Sequence, residues 1–306
     1  MISAAAGWGG FRWRDRRRRP DAAGREELDS EMERKKIAEI KSQLQQTGED
    51  ELGSFIHTYE KDERAGVLQL VGQARQRITR LAAERERTKR LMKYEEEYAA
   101  YGLICGIDEA GRGPLAGPVV AGAVILPQDC EILHINDSKK LSAARREELY
   151  EVILEKAVAV GVGMVGPQRI DEINILQATY EAMREAISKL NEKPDILLND
   201  AVTIPGIGIR QVPIIKGDEK SISIGAASIV AKVTRDRLMA EYDRLMPEYG
   251  FASCKGYGTK EHIAALNQYG PSPIHRISFI RKFIQCGKCR NGEDYADNRE
   301  AGAVQP

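Results

Sequence analysis

Beyond Tyr98 the chain alternates short apolar runs with longer amphipathic segments, and this pattern restricts the fold more than any other feature. The runs predict strands over 103–107, 119–126, 158–165, 196–198 and 211–215. Helices are predicted over 143–156, with Ser142 as N-cap, over 169–190 and over 221–246. Strands and helices that alternate in this way pack as layers. We therefore predict an α/β domain over 98–284, with a mixed sheet flanked by helices.

The preceding segment, 32–97, shows only the period of helices. Apolar residues form one stripe over 37–44 and another over 67–82, and Gly48 and Gly53 mark the break between them. A small helical module is therefore predicted before the α/β domain.

The last predicted helix of this module is strongly basic. Over 71–93 it carries eight Lys or Arg residues against two acids. Two interpretations stay open: a solvated helix with a charged outer face, or a helix that contacts nucleic acid. Net charge does not decide between them, because 46 basic residues in the whole chain are balanced by 46 acidic ones.

The two ends of the chain differ in composition from the rest. Residues 1–31 are rich in Ala, Gly and Arg, and 285–306 are polar, so both are predicted to be flexible tails. Met32 opens the helical module, which leaves open whether 1–31 belongs to the protein. Cys286 and Cys289 form a lone Cys-x-x-Cys, for which no metal or redox function is expected.

Cysteine usage and hydropathy indicate where the protein works. The five cysteines are an odd number without the spacing of a disulfide framework, which suits a reducing compartment. No run approaches the ~20 apolar residues of a membrane span, and the N-terminus lacks the apolar core of a secretory signal. We expect a cytoplasmic protein that has no membrane partner and works as a monomer.

Carboxylates stand at the ends of three predicted strands. The first run ends on Asp108 and Glu109; Asp200 follows the fourth run, and Asp218 lies just beyond the fifth. Sites in α/β sheets are built where strands end. Four acids brought together repel one another unless cations neutralise them, and oxygen-only ligands favour Mg²⁺ or Mn²⁺ over zinc. A pair of such ions, about 3.5–4 Å apart, can activate a water and stabilise the leaving oxygen of a phosphodiester.

Asp236 competes with Asp218 for the fourth place in this group. It lies four residues after Lys232 in a predicted helix, which is the spacing of an ordinary ion pair. Asp218 lies at a strand end beside Gly217, where an acid has less structural reason to be. Asp218 is therefore preferred.

An ordered series of motifs resembles bacterial ribonuclease HII. The first is Gly-Ile-Asp-Glu-Ala-Gly-Arg-Gly-Pro-Leu-Ala-Gly-Pro-Val-Val at 106–120. Next come Asp-Ser-Lys-Lys-Leu at 137–141, Lys-Gly-Asp at 216–218 and Ala-Ala-Ser-Ile-Val-Ala-Lys-Val-Thr-Arg-Asp at 226–236. The series ends with Gly-Tyr-Gly-Thr at 256–259, His262, and His-Arg at 275–276. The resemblance spans about 100–283, and 32–97 is similar to the helical N-terminal extension of some members.

The resemblance implies an RNase H-like fold and an endonuclease that cuts the RNA strand of RNA/DNA hybrids. It also implies cutting at single ribonucleotides embedded in duplex DNA, with 3′-hydroxyl and 5′-phosphate products. The family's four catalytic, metal-binding acids fall on Asp108, Glu109, Asp200 and Asp218, with Mn²⁺ or Mg²⁺ as cofactor. One departure is Asn199, where the family more often has an apolar residue; the neighbouring acid is unaffected.

Contacts with the substrate are expected at the glycine turn and near the C-terminus. Backbone amides of Gly111, Arg112 and Gly113 are suited to reading the 2′-hydroxyl, because glycines permit close approach; the alternative is a purely structural turn. Tyr257 resembles the family's residue that stacks on the sugar of the deoxynucleotide after the ribonucleotide.

Cationic and imidazole side chains complete the expected site. Lys139, Lys216 and Arg276 are expected at phosphates, with surface ion pairing as the alternative. His275 either orients a phosphate or satisfies a turn, and these two interpretations stay open. A structural role is expected for His262.

Two other classes of function can be weighed against a nuclease. A non-catalytic protein that binds hybrids would gain nothing from four acids facing phosphates. A phosphate-cradling NTPase fails because the turn at 111–113 is not followed by the Gly-Lys-Ser/Thr of a P-loop. A metal-dependent ribonuclease is therefore the preferred interpretation.

Overall fold

A computed structural model describes residues 35–284, which divide into two compact units between Arg80 and Leu81. The predicted tails at 1–31 and 285–306, and with them Cys286 and Cys289, lie outside the described residues. Across the described part of the chain, no helix is long and apolar enough to cross a membrane.

The first unit is built from helices. They are α1 (Ile37–Gln46), α2 (Leu52–Tyr59) and the first part of α3 (Ala65–Leu91). The Tyr59 hydroxyl donates to Gln43 at 2.7 Å, and Arg77 donates to the Leu44 carbonyl at 3.0 Å, which ties the helices together. The predicted apolar stripes and one face of α2 supply the buried side chains: Ile40, Leu44, Leu52, Phe55, Tyr59, Val67, Leu70, Val71 and Ala74.

The second unit contains a mixed five-stranded sheet flanked by helices, so the predicted fold class is confirmed. Its strands are β1 (Ile104–Ala110), β2 (Val119–Ile125), β3 (Ala159–Val165), β4 (Ile196–Asp200) and β5 (Arg210–Ile214). Their order is β3-β2-β1-β4-β5; β2 is antiparallel to its neighbours, and β4 and β5 run parallel to β1. The helices are α4 (Lys93–Tyr98), α5 (Ala143–Lys156), α6 (Pro167–Ser188), α7 (Ile222–Leu245), α8 (Phe251–Cys254), α9 (Lys260–Tyr269) and α10 (Ile277–Ile280).

Glycines in the sheet let two helices pack directly on the strands. A Cβ at Gly106 would collide with the backbone of Ser223 in α7. A Cβ at Gly161 or Gly163 would collide with backbone carbonyls of α6. Because neighbouring residues of a strand point to opposite faces, Gly106 lies against α7 while Cys105 packs in the core beneath α6. The sheet is thus covered on both faces.

The second unit begins inside α3, upstream of the change in sequence pattern at Tyr98. Leu91 packs in one core with residues of β2 and α7, and Tyr94 packs in another with residues of β1 and β4. Glu95 is buried, and its Oε1 accepts from the hydroxyl (2.6 Å) and the backbone N–H (3.1 Å) of Ser223. A carboxylate is favourable there, at the N-terminus of a long helix. The end of the basic helix and α4 therefore belong to the sheet-containing unit.

Most elements differ from the predicted bounds by one or two residues, and β1 and α6 depart further. β1 runs beyond 107 to Ala110, because its pairing with β2 continues as far as Val120. α6 is interrupted at Asn174, which has φ 68° and whose Oδ1 accepts the N–H groups of the next turn. The longer β1 means that the first two acids lie on the strand itself and not on the turn after it.

Candidate active site

Asp108 and Glu109 lie on the central strand of the sheet, near its carboxyl end. Asp108 is buried; its Oδ1 accepts the backbone N–H of Glu109 at 2.7 Å, and its carboxylate also accepts a hydrogen bond from Ser228 of α7. The Glu109 carboxylate accepts from Arg112 at 3.1 Å. Rigid backbone and α7 therefore hold the first acid, whereas the second contacts the loop that follows.

Asp200 ends β4, the strand that lies parallel to β1 and next to it, so this side chain comes to the same edge of the sheet. Its Oδ1 accepts the backbone N–H of Gly217 at 2.7 Å. Gly217 opens the 3₁₀ turn Gly217–Glu219, which holds the buried Asp218. A single hydrogen bond thus ties the third acid to the turn that carries the fourth.

Burial and mutual repulsion shift the pKa values of Asp108, Glu109 and Asp218. Burial raises the pKa of Asp108 well above its usual range, and the charges on Glu109 and Asp200 raise it further. Burial is also the main cause of the raised pKa of Glu109 and of Asp218, and Asp200 adds to both. These acids hold negative charge at a free-energy cost, which a bound cation would relieve.

Lys139, an expected phosphate contact, faces the same cluster. Burial lowers the pKa of this ammonium group, but attraction to Asp137, Asp108 and other acids of the site outweighs burial and leaves the pKa raised. The residue is nevertheless exposed. Its charge is therefore attracted to the acids while the residue stays open to solvent, and its phosphate contact stays a prediction.

The donors of the cluster fit a hard divalent cation. All are carboxylates, the oxygen ligands that Mg²⁺ and Mn²⁺ take in proteins. The raised pKa values of Asp108, Glu109 and Asp218 mark a place where positive charge is favourable. Within residues 35–284, no group of three or more His, Cys, Asp or Glu side chains is already gathered as a metal site. The donor types therefore fit, while a complete ligand sphere is not preformed.

Asp236 is occupied by other partners. Its Oδ1 lies 2.7 Å from Nζ of Lys232, one turn earlier in α7, and Oδ2 lies 3.8 Å from Arg146. Asp218, in contrast, interacts electrostatically with Asp200. The geometry supports the preference for Asp218 as the fourth acid.

The structure contradicts the expected phosphate contact of Arg276. The residue is fully buried, and its guanidinium donates to the carbonyls of Gly117 (2.9 Å), Arg112 (2.9 Å) and Gly111 (2.6 Å). Three backbone acceptors engage a group that has no access to solvent. Arg276 therefore supports the glycine loop from inside the protein.

A second buried arginine, Arg235 of α7, supports the same region. It donates to the carbonyls of Pro118 and Ala116 at 3.0 Å and to that of Lys255 at 2.9 Å. A Cβ at Gly111, where φ is 90°, would collide with the Arg235 side chain. This role was missed at the level of sequence, because nothing in a helical pattern marks a single arginine as buried.

The buried guanidinium of Arg276 fixes the direction of two peptide groups in the loop. In a trans peptide the C=O of one residue and the N–H of the next point in opposite directions. Since Arg276 holds the carbonyls of Gly111 and Arg112, the N–H groups of Arg112 and Gly113 point away from it. Neither N–H has an acceptor among the residues that the structure describes. The loop thus presents two free donors close to the acids.

Tyr257 lies beside this loop. Its Cε1 is 3.8 Å from the position that a Cβ at Gly113 would take, and the residue is 45% exposed. The Leu115 N–H donates to the Gly256 carbonyl at 2.8 Å, which joins the two loops. The structure therefore brings together two predicted substrate-binding elements that are far apart in sequence.

Two buried histidines hold the Tyr257 loop. The Ser272 N–H donates to Nδ1 of His275 (2.9 Å), so a neutral His275 carries its proton on Nε2 and donates to Nε2 of His262 (3.0 Å). Nδ1 of His262 then donates to the Tyr257 carbonyl (2.8 Å). Burial lowers the pKa of both rings, that of His275 to about 4. Both are therefore neutral supports, as expected for His262, and His275 takes the structural alternative.

The turn that carries Asp218 has one expected contact and one missed support. Lys216 precedes the turn in a left-handed conformation (φ 58°) and is exposed, so its phosphate contact stays a prediction. Glu95 binds the start of α7, a few residues beyond the turn. The role of Glu95 was missed, because an acid in a run of charged residues gives no sign of burial.

Comparisons with known proteins identify the family. The family described as "Ribonuclease HII" matches residues 105–282, and "Ribonuclease HII N-terminal domain" matches 36–99. The chain is 61% identical to ribonuclease HII of Lachnoclostridium phytofermentans, over 82% of this chain and 99% of the relative. It is 51% identical to ribonuclease HII of Clostridioides difficile, over 83% of this chain and all of the relative.

Similarity in three dimensions agrees with this result. The crystal structure of ribonuclease H2 from Pyrococcus horikoshii matches with a TM-score of 0.51 and 30% identity, over 59% of this chain and 96% of that one. The resemblance inferred from the motifs is therefore confirmed. This chain belongs to the ribonuclease HII family.

Proposed function

We propose that this protein cuts on the 5′ side of a ribonucleotide embedded in duplex DNA and leaves a 3′-hydroxyl and a 5′-phosphate. The coarser activity comes with the family, whose members are metal-dependent endonucleases that cleave RNA in RNA/DNA hybrids. The proposal adds the position of the cut and the residues that set it.

One arrangement carries this proposal: the loop at 111–113 meets Tyr257 at the end of the strand that holds Asp108 and Glu109. The free N–H groups of Arg112 and Gly113 can donate to a 2′-hydroxyl oxygen, the group that DNA lacks. The half-exposed ring of Tyr257 can stack on the sugar of the following deoxynucleotide. A ribonucleotide held in this way has its phosphodiester close to the acids.

Asp108, Glu109, Asp200 and Asp218 are the residues that would hold the divalent cations, Mg²⁺ or Mn²⁺. Such ions, when bound, activate a water and stabilise the leaving oxygen of the phosphodiester. Lys139 is attracted to the same acids yet exposed, so its ammonium can bind a phosphate oxygen and orient the backbone. Ser228 and the Gly217 N–H keep Asp108 and Asp200 in place.

The test uses a DNA duplex with one ribonucleotide, incubated with the full chain and Mg²⁺ or Mn²⁺, and maps the cut. We expect incision immediately 5′ to the ribonucleotide and none in an all-DNA duplex. Asp108→Asn is expected to abolish incision while largely sparing binding. An intact ribonucleotide duplex in both metals, or a cut at another position, would refute the proposal.

The fourth acid can be assigned with a matched pair of variants. Asp218→Asn is expected to abolish incision, whereas Asp236→Asn removes only the ion pairs with Lys232 and Arg146 and is expected to retain it. The reverse result would exchange the two roles. The monomeric state and the cytoplasmic location stay predictions, and sedimentation of the full chain checks the first.

A further inference from the structure

A basic groove lies in the sheet-containing unit, and its lining includes neither the four acids nor the glycine loop. Its volume is about 550 Å³, and its walls come from the end of α3, from α4 and from two loops. The lining side chains that matter here are Arg87, Arg90, Lys93, Tyr94, Lys140 and Lys220. Five of these are cationic, and the single carboxylate in the lining is that of Glu219. The groove therefore carries a marked excess of positive charge.

Two of the cations are committed to the protein, and three are not. Arg87 donates to Glu84 and to the Ile135 carbonyl, and Lys140 pairs with Glu219. Arg90, Lys93 and Lys220 are exposed. Over the stretch 35–284, no ion pair involves any of these three. Their charges are therefore free to meet a ligand.

The groove adjoins the acid cluster along two chain segments. Lys140 directly follows Lys139, whose ammonium interacts with Asp108 and Asp218. Lys220 lies two residues after Asp218. A phosphate chain that crosses the acids can therefore continue into the groove.

The acids themselves create a need for such a groove. A cluster of carboxylates repels a polyanion, and the chain as a whole has no net charge to offset this repulsion. A duplex can bind at the site only if positive charge is concentrated next to the acids. Three unpaired cations on a concave surface beside the cluster meet that need, and Tyr94 adds an aromatic wall.

We infer that this groove binds the sugar-phosphate backbone of the substrate duplex next to the cut, through Arg90, Lys93 and Lys220. The inference rests on the proposed function for its substrate class, but not on where the enzyme cuts. For the basic helix, the inference favours contact with nucleic acid over a merely solvated face, since the end of that helix forms one wall of the groove. Phosphate binding of this kind is independent of sequence and depends strongly on salt.

The experiment compares two triple variants of the full chain. Arg90→Gln, Lys93→Gln and Lys220→Gln together remove the free charges of the groove. Lys156→Gln, Lys189→Gln and Lys193→Gln remove equal charge just before β3 and β4 begin, at the edge of the sheet opposite the acids. Fluorescence anisotropy measures affinity for an all-DNA duplex between about 50 and 200 mM salt, the range over which phosphate contacts change affinity steeply.

We expect the slope of log affinity against log salt to become shallower by about 2 to 3 in the groove variant, since each lost contact removes about 0.9. Affinity at the lower salt is expected to fall by roughly 10- to 100-fold, whereas the control keeps the parental slope. All six residues are exposed, and equal urea midpoints would show that both variants fold.

Because an all-DNA duplex is not expected to be cut, this result does not depend on the proposed cleavage. A second arm uses the duplex with one ribonucleotide, for which the groove variant is expected to raise KM and leave the cut position unchanged. Equal slopes for the groove variant, the control and the parent protein would overturn the inference, even if incision proceeds as proposed. Heparin serves as a second polyanion. A groove variant that loses affinity for heparin but keeps its affinity for the duplex would also overturn the inference.

Discussion

Replacement of Arg276 by lysine tests whether this residue holds the glycine loop or contacts a phosphate. Lysine keeps the positive charge, so most of a phosphate contact would survive. It cannot reproduce a planar group that donates to the carbonyls of Gly111, Arg112 and Gly117. If lysine reaches one carbonyl, two buried acceptors lose their donor, at about 1–3 kcal/mol each. The free energy of unfolding is therefore expected to fall by roughly 2–6 kcal/mol.

Urea unfolding of the full chain measures this loss as a lower midpoint at an unchanged m value. The free N–H groups of Arg112 and Gly113 lose their fixed direction, so kcat/KM on the ribonucleotide duplex is expected to fall at least about tenfold, or 1.4 kcal/mol. The salt dependence of duplex binding is expected to stay the same, because no charge is removed.

The matched control for this variant is Arg169→Lys. Arg169 is an exposed arginine of α6 that also donates to several oxygens, those of Glu172 and Glu181. Exposed pairs contribute little to stability, so neither the urea midpoint nor incision is expected to change. An Arg276→Lys protein as stable and as active as the parent, or one with a shallower salt slope, would refute the assignment of Arg276 to the loop.

Three further predictions concern the packing, the histidine pair and the support of Asp218. Gly106→Ala forces a Cβ against the backbone of α7 and is expected to lower the free energy of unfolding by urea by about 1–3 kcal/mol. Gly72→Ala, with open space around it, is expected to raise this free energy by about 0.5–1 kcal/mol. Because burial lowers the pKa of His275 from 6.5 to about 4, the unfolded chain binds a proton that the folded protein does not. Stability is expected to fall by up to about 3 kcal/mol as pH decreases from 6.5 to 4, and His275→Gln is expected to flatten this part of a urea-midpoint profile. Glu95→Ala removes the bonds to Ser223 near the Asp218 turn and is expected to lower kcat more than it changes KM in steady-state incision; unchanged kcat would contradict this role.

Most of the fold and the positions of the acids can be predicted from local patterns in the sequence. Ser142 accepts from the Arg145 N–H, as an N-cap should, and α5 ends at Lys156 as predicted. The apolar runs locate the buried strands β1, β2 and β4, because a buried strand must be nearly continuous in apolar residues. Acids that follow such runs come to one edge of the sheet whenever the strands are parallel. For this reason the amino-acid sequence is enough to predict that Asp108 and Asp200 lie together.

The supports of the site could not be predicted in the same way. Arg276 and Arg235 are buried, and all but one of the carbonyls to which they donate lie more than a hundred residues away in sequence. A charged residue taken alone is normally expected on the surface. Sequence alone consequently predicts a phosphate contact for Arg276, which the structure contradicts. The sequence also does not reveal that the second unit begins inside α3. The apolar residues Leu91 and Tyr94 carry no sign of which partner they pack on.

The proposed recognition of a ribonucleotide requires a glycine loop that is both bare and fixed in direction, and the two buried arginines meet both requirements. A reader of the 2′-hydroxyl needs bare amides, hence glycines, yet glycine loops lose the most conformational freedom on folding. Arg235 and Arg276 together bind six carbonyls in the loop and its neighbours, so the amides are held without any side chain that would block the substrate. The acids have other supports: β1 carries Asp108 and Glu109, Ser228 donates to Asp108, and the Gly217 N–H donates to Asp200. Under the proposed function, choice of substrate then depends on buried residues that lie apart from the acids. Substitutions at Arg235 or Arg276 should therefore impair preference for a ribonucleotide before they impair the acid cluster.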